Sequence, residues 1–296
     1  MATIAEPSKV LASAATGVVE MIDAQRGDVD RIFGATSICL DDLGSPVNEI
    51  SLQQFCRLFT EAARQTGNDN FGLQFGAQFE PRKLGAIGYA AVSSPTLGAA
   101  LATMEKYFPA HQEQSSFGLI QDGDILWLSY RIFDPRISDR RQDAELSIGM
   151  FRNVFRRALG PRWSPLEVRF EHTAPDNPAE HESVYEAPVL FGRRTNAIAF
   201  KRSDLDTPMP DQDPYLFSVI EPFLKSRCDL HGSPETLATI IRNQIKLNLS
   251  TTAPTMAEIG RLFGLSECQF QHEMQACLLY TSPSPRDQRP NLVCRL

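Results

Sequence analysis

Nowhere does this chain hold an apolar run approaching the ~20 residues of a membrane-crossing helix, which argues against a helical span. Its first residues, MATIAEPSKVLASAATG, have no basic leader ahead of an apolar core, so no secretory signal is read there. Cysteine is sparse. Cys39, Cys56, Cys228, Cys268, Cys277 and Cys294 show no C-x-x-C spacing, which disfavours a disulfide framework or a zinc site and fits reduced thiols in a cytoplasm. There is no G-x-S-x-G, no H-E-x-x-H and no Walker-type phosphate loop, so no catalytic residue is nominated and no cofactor is expected. GAIGY (Gly85 to Tyr89) lacks the full glycine fingerprint of a nucleotide loop, and packing explains it more simply. The histidines at 111, 172, 181, 231 and 272 are scattered. His181 lies between Glu180 and Glu182, but neighbours on a helix point apart, so no metal site is expected. An excess of positive charge is also lacking: the net charge of −7 disfavours a nucleic-acid binder that works by charge alone.

What the 296 residues do hold is enough apolar content, 42%, for two globular domains. The most patterned stretch is TMAEIGRLFGLSECQFQHEMQA, Thr255 to Ala276. Ile259 and Phe263 give a first helix one apolar face. Gly264 stands where the chain must turn, Ser266 can cap a second helix, and Phe270 and Met274 turn that helix's apolar side inward. This spacing fits a helix-turn-helix, whose second helix enters the DNA major groove, and it fits an ordinary helical hairpin equally well.

The same residues resemble the first helix-turn-helix of AraC-type (arabinose-operon regulator family) transcription regulators. PETLATIIRNQIKLNL, Pro234 to Leu249, is similar to the amphipathic helix that precedes it in that family. Upstream, LGAIGYAAVSSPTLGAAL (Leu84 to Leu101) and PVLFGRRTNAIAFKRSDLDTPMPDQDP (Pro188 to Pro214) resemble the arabinose-binding-type N-terminal sensor domain of one branch. The resemblance spans roughly Val18 to Ala276 and implies a small-molecule effector, self-association as a homodimer and double-stranded DNA as partner. It places Glu267, Cys268, Gln269, Gln271 and His272 on the DNA-facing side of the second helix. Gln269 and Gln271 carry amides suited to adenine edges. Relatives often have Arg where Cys268 and His272 stand, which weakens the expected contact. Residues 229–276 carry three Lys and Arg against five Asp and Glu, net −2, poor for binding a polyanion.

Taken in order, Lys9 to Ala24 reads as an alanine- and valine-rich helix and DVDRIFGAT as a second, short one. SLQQFCRLFTEAARQTG reads as a helix capped by Ser51 and stopped by Gly67. The glycine-punctuated stretch from Phe71 to Ser94 mixes periods and stays unassigned. SSPTLGAALATMEKYFP predicts a helix with Ser94 as cap and Pro95 at its first position. SSFGLIQDGDILWLSYRIF alternates as a β-hairpin turning at Asp122-Gly123. A long helix is expected from Ser138 and Asp139 to Gly160, with Leu146, Met150, Val154 and Phe155 facing inward. LEVRFEH, VLFG and AIAFKR read as strands, Asp206, Asp211 and Asp213 as a solvated loop, and DPYLFSVIEPFLKSRCDLHGS as a connecting helix and linker.

From Cys277 the pattern breaks. CLLYTSPSPRD and the closing LVCRL are what a transposase-based sequencing-library adapter encodes in one frame on either side of its index. Cys277 to Leu296 is therefore read as adapter translation, disordered, with the gene cut inside its DNA-binding domain; the other reading is a genuine tail. The expected organisation is an α+β sensor domain with antiparallel strands and packed helices over 1–225, and a linker over 226–233. A partial all-α helix-turn-helix domain over 234–276 and the foreign tail follow. Tyr89, Trp127, Tyr130 and Phe170 are candidate effector-binding aromatics, though an aromatic of this kind is more often simply core. The rival functions are a small-molecule-binding enzyme with an incidental helical tail, and a stand-alone sensor working through protein contacts.

Overall fold

The structure, a computed structural model, describes residues 7–231. The helix expected at 234–249, the helix-turn-helix at 255–276 and the tail from 277 lie outside the described residues.

The chain starts with β1 (Lys9–Leu11), a 3-10 turn (Ala12–Ala15), α1 (Val18–Ala24) and α2 (Val29–Gly34). The continuous helix expected over Lys9 to Ala24 is therefore corrected. Its first residues pair antiparallel with β2 (Glu49–Ser51), Val10 opposite Ile50, and Gly17 interrupts the path at φ +98° before α1 begins. Next come α3 (Leu52–Thr66) and α4 (Phe71–Gln78), then α5 (Ala86–Ser93) and α6 (Leu97–His111). Ser51 accepts from the Gln54 amide and Gly67 closes α3 in the left-handed region, the two signals legible in the sequence.

α6 starts later than expected. The Leu97 amide donates to Thr207 O and the Met209 amide to Pro95 O, so Ser94 to Thr96 runs extended beside 207–209. Thr96, not Ser94, caps the helix through Ala99 N at 3.2 Å, while the Ser94 hydroxyl donates back to Ala90 O at the end of α5.

The hairpin forms as β3 (Ser115–Asp122) and β4 (Ile125–Ile132), turning through Gly123 at φ +61° and Asp124, one residue later than expected. α7 (Arg141–Leu159), β5 (Glu167–Arg169), α8 (Ala179–Tyr185), β6 (Val189–Leu190), β7 (Asn196–Lys201) and α9 (Pro214–His231) complete the described chain. Ser138 and Asp139 do not start α7. The Arg140 guanidinium donates to the carbonyls of Ile132, Asp134 and Ile137, holding the preceding loop against the hairpin. Asp139 instead accepts from Thr60 at 3.0 Å. The strand expected over LEVRFEH is limited to Glu167–Arg169, because only these residues align with β7.

The main sheet has the order β3-β4-β7-β5-β6 and is antiparallel except for β5 and β6, which run parallel and are joined through α8. This is an α+β fold. Phe55, Phe59, Phe71 and Phe75 interlock between α3 and α4, with ring centroids 4.9–6.0 Å apart for the contacting pairs. Phe108, Phe117, Tyr130 and Phe151 form a second cluster between α6, the hairpin and α7. No helix among the described residues is long and apolar enough to cross a membrane.

Candidate functional site

α7 runs through the middle of this arrangement, buried at nearly every position from Gln142 to Phe155. Glycines make that possible. A Cβ on Gly72 or Gly76 of α4 would meet the Gln142 or Leu146 carbonyl oxygen at 2.3 Å, and one on Gly149 would meet the Gly76 carbonyl carbon at 2.6 Å. The two helices thus cross with their backbones in contact, which no larger residue allows. Of the glycines in the unassigned Phe71 to Ser94 stretch, Gly72 and Gly76 serve this approach, while Gly88 lies against the Pro81 carbonyl.

Polar side chains from the first turns of α7 leave on either side of that crossing. On one side Asp143 accepts from the Tyr130 hydroxyl at 2.8 Å, and Gln112 Nε2 donates to the same hydroxyl at 2.7 Å. Burial pushes the Asp143 carboxyl up to about 7, against the opposing pull of the Tyr130 bond and the Arg140 charge. On the other side Glu145, with no exposed surface, lies 2.9 Å from Arg141 Nε, 2.9 Å from His181 Nε2 and 3.4 Å from His172 Nε2. The Tyr185 hydroxyl donates to the Glu145 carbonyl at 3.3 Å.

Glu145 thereby fastens the whole β5–α8–β6 crossover to α7. Further ties reinforce it: Asn70, just ahead of α4, and Gln74 within it donate to Glu180 at 2.7 and 2.6 Å, and Arg156 donates to Glu186 at 2.8 Å. His172 Nδ1 is 2.9 Å from the Thr173 carbonyl, an acceptor, so this nitrogen carries the proton and Nε2 presents a lone pair toward Glu145. Burial lowers the His172 pKa, with Arg141 and His181 adding to the effect. Glu145 Oε2, His172 Nε2, His181 Nδ1 and Arg152 Nε are buried without a hydrogen-bond partner, and all four belong to residues around Tyr185 and Phe170. Buried polar atoms are otherwise almost always paired, so their gathering marks this seam out. Among the described residues no group of three or more His, Cys, Asp or Glu side chains is arranged to hold a metal ion.

Of the four aromatics picked from the sequence, the structure brings one, Phe170, to this seam. Tyr130 is buried on the Asp143 side, and Phe170 packs against His172, His181 and Tyr185 on the Glu145 side. Tyr89 is 41% exposed on α5, and Trp127 lies on the other face of the sheet beneath the Arg169 guanidinium, 3.7 Å from its ring centre. The four do not form one site. Glu267, Cys268, Gln269, Gln271 and His272 lie outside the described residues. Sequence reasoning passed over Arg141, Asp143 and Glu145, and read His172 and His181 only as scattered histidines without a metal site. The legible signal was the pair of carboxylates at 143 and 145, two residues apart in a helix whose inward face reads as Leu146, Met150, Val154 and Phe155.

Residues 27–209, which include the whole seam, match the family described as the N-terminal arabinose-binding domain of AraC transcription regulators. The chain belongs to this family. No curated protein matches it. Among solved structures, the crystal structure of the transcriptional regulator CdpR from Pseudomonas aeruginosa is similar, with a TM-score of 0.55 at 15% identity, covering 89% of this chain and 79% of that one. At that identity the likeness concerns the fold. Membership of the AraC-regulator family agrees with the resemblance carried by Leu84 to Leu101 and Pro188 to Pro214, and its range places the α7 seam inside the matched N-terminal domain.

Proposed function

We propose that this chain is the effector-sensing part of a transcription regulator and that the effector acts at the α7 seam, where Glu145 holds the β5–α8–β6 crossover. The observation that carries this reading is the gathering of unpartnered buried polar atoms at Glu145, Arg152, His172 and His181. Such atoms, walled by Phe170, Phe191 and Tyr185, are what a small polar ligand recognises. A ligand that replaces one of the crossover's ties changes how α8 is held, and differential contact of this kind is what shifts a conformational equilibrium.

The sensor occupies residues 1–225, and the segment 234–276 reads DNA through Gln269 and Gln271, with Glu267, Cys268 and His272 beside them. Cys277 to Leu296 is adapter translation, so the chain as written holds one helix-turn-helix of the two that a regulator of this type uses. The protein acts in the cytoplasm, as a homodimer on double-stranded DNA. The test of the sensing site is a thermal-shift screen of the full chain against a panel of sugars, amino acids and small carboxylates. Hits should lose their shift in Glu145→Gln and keep it in Glu182→Gln, which alters an exposed neighbour. Hits indifferent to Glu145→Gln would move the effector site elsewhere.

A further inference from the structure

The unpartnered atoms of the α7 seam are nearly all of one chemical kind. Glu145 Oε2 is a carboxylate acceptor. His172 donates through Nδ1 to the Thr173 carbonyl, so its Nε2 is an acceptor as well. His181 Nε2 carries the hydrogen that meets Glu145 Oε1 at 2.9 Å, which leaves Nδ1 of the neutral ring as a third acceptor. Against these stands one unpartnered donor, Arg152 Nε. It lies two helical turns further along α7, ~10 Å away by the helix rise. Tyr185 stands between, its hydroxyl on the Glu145 carbonyl and its ring 5.8 Å from the Arg152 guanidinium carbon. The Glu145 end of the seam is therefore short of hydrogen-bond donors.

One contact shows the shortage directly. His172 Nε2 faces Glu145 Oε1 at 3.4 Å, lone pair against lone pair, with no hydrogen to share. Burial lowers the His172 pKa, so at neutral pH the ring does not supply one. Charge runs the same way. Arg141 is the one Lys or Arg among the described residues that pairs with Glu145, and it is shared with Asp69. Glu180, held by the neutral amides of Asn70 and Gln74, adds a third carboxylate. Phe170 and Phe191 stack on each other and stand 5.0–5.9 Å from the two imidazoles, and aromatic faces attract cations. A primary ammonium group has three donors, no lone pair and the missing charge. A hydroxyl brings lone pairs for which this end has no donor, and a carboxylate is repelled. The way in is past His172, whose side chain is 14% exposed while those of Glu145 and His181 are closed off.

We propose that the ligand of the α7 seam is a primary amine, its ammonium group held between Glu145 Oε2 and His172 Nε2 with Phe170 and Phe191 beside it. This rests on the sensing site proposed above and names the class of ligand it takes. The test is calorimetric titration of the full chain at neutral pH in an amine-free buffer, with n-propylamine, propanol, propionate and tetramethylammonium as probes. Propylamine should bind, and the other three should bind at least tenfold more weakly; tetramethylammonium carries the charge without an N–H. Glu145→Gln and His172→Phe should each weaken propylamine about tenfold or more, the scale of one lost hydrogen bond to a charged group. His172→Phe keeps an aromatic ring at a partly exposed position, so it reports on the site even where Glu145→Gln unfolds the chain. Propylamine binding that survives His172→Phe, or tetramethylammonium binding as tightly as propylamine, would overturn the ammonium site. So would an absence of propylamine binding at tens of millimolar. A sugar or carboxylate that then binds in a Glu145-dependent way would leave the sensing site standing and strike the amine alone; no Glu145-dependent ligand of any class would strike both.

Discussion

Replacing Glu145 by alanine should be the most damaging single polar substitution in the described domain. Its carboxylate is wholly buried and meets Arg141 and His181 directly, with the His172 ring at 3.4 Å. The partners are not equally dependent on it. Arg141 keeps Asp69, at 2.9 Å to both carboxylate oxygens, and Asn70, so it is not stranded. His181 has no other hydrogen-bond partner and no exposed surface, so its ring nitrogens lose their last contact. Stranding a buried polar group costs about 1–3 kcal/mol, and the space left by the removed side chain adds to it. The sum, about 3–5 kcal/mol, matches what breaking one side of a buried charge pair usually costs. In a unit of this size that lowers the melting temperature by roughly 6–15 °C. The assay is thermal unfolding of the full chain followed by far-ultraviolet circular dichroism, with Glu182→Ala as control, expected within about 0.5 kcal/mol of the unaltered protein. A Glu145→Ala protein melting within two degrees of the unaltered one would refute the reasoning, because Glu145 would then not hold the crossover.

The Asp143 carboxyl, raised from 3.8 to about 7 by burial, binds its proton more tightly folded than unfolded, so its contribution is fully present below pH 3.8 and is lost as pH rises through about 7. Asp143→Asn, which mimics the neutral acid toward Tyr130, should flatten that part of the melting-temperature profile; a profile parallel to the unaltered protein's would contradict the assignment. Gly149→Ala puts a methyl 2.6 Å from the Gly76 carbonyl carbon and should cost about 1–3 kcal/mol or more, read by urea unfolding, whereas a neutral result would mean that α4 and α7 can separate freely. Gly123→Ala, at φ +61° with open space around its Cβ position, should cost only about 1 kcal/mol in the same measurement.

Local signals carried the regular elements well. α3 is bounded by Ser51 and Gly67 as its sequence suggests, and the hairpin follows its alternation to within one residue at the turn. Where the sequence misled, a distant partner had claimed the signal. Ser94 looks like a cap, but the 207–209 segment holds Ser94 to Thr96 extended. Ser138 and Asp139 look like a helix start, but Arg140 ties that loop to the carbonyls of the hairpin's end. The candidate site was the least legible part, because His172 and His181 meet Glu145 from positions 27 and 36 residues away (172 and 181 less 145). Scattered in the sequence, they offered no spacing to read. The aromatics chosen as pocket residues divided by depth: sequence cannot distinguish Tyr130, whose hydroxyl has a buried carboxylate partner, from Tyr89, which faces solvent.

The central claim, that this is the sensing part of a DNA-reading regulator, is tested most directly by DNA binding across a salt titration. Two proteins are compared: the chain as written, and one whose residues after Ala276 are replaced by the second helix-turn-helix of a full-length AraC-type relative. With net charge −2 over residues 229–276 and only the one reading helix proposed above, the first should show no sequence-selective binding, since each base contact is worth only ~1–3 kcal/mol. The restored protein should bind a specific site, with affinity falling steeply as salt rises and changed by ligands found at the α7 seam. Nanomolar, sequence-selective binding by the chain as written, or none by the restored protein, would contradict the account.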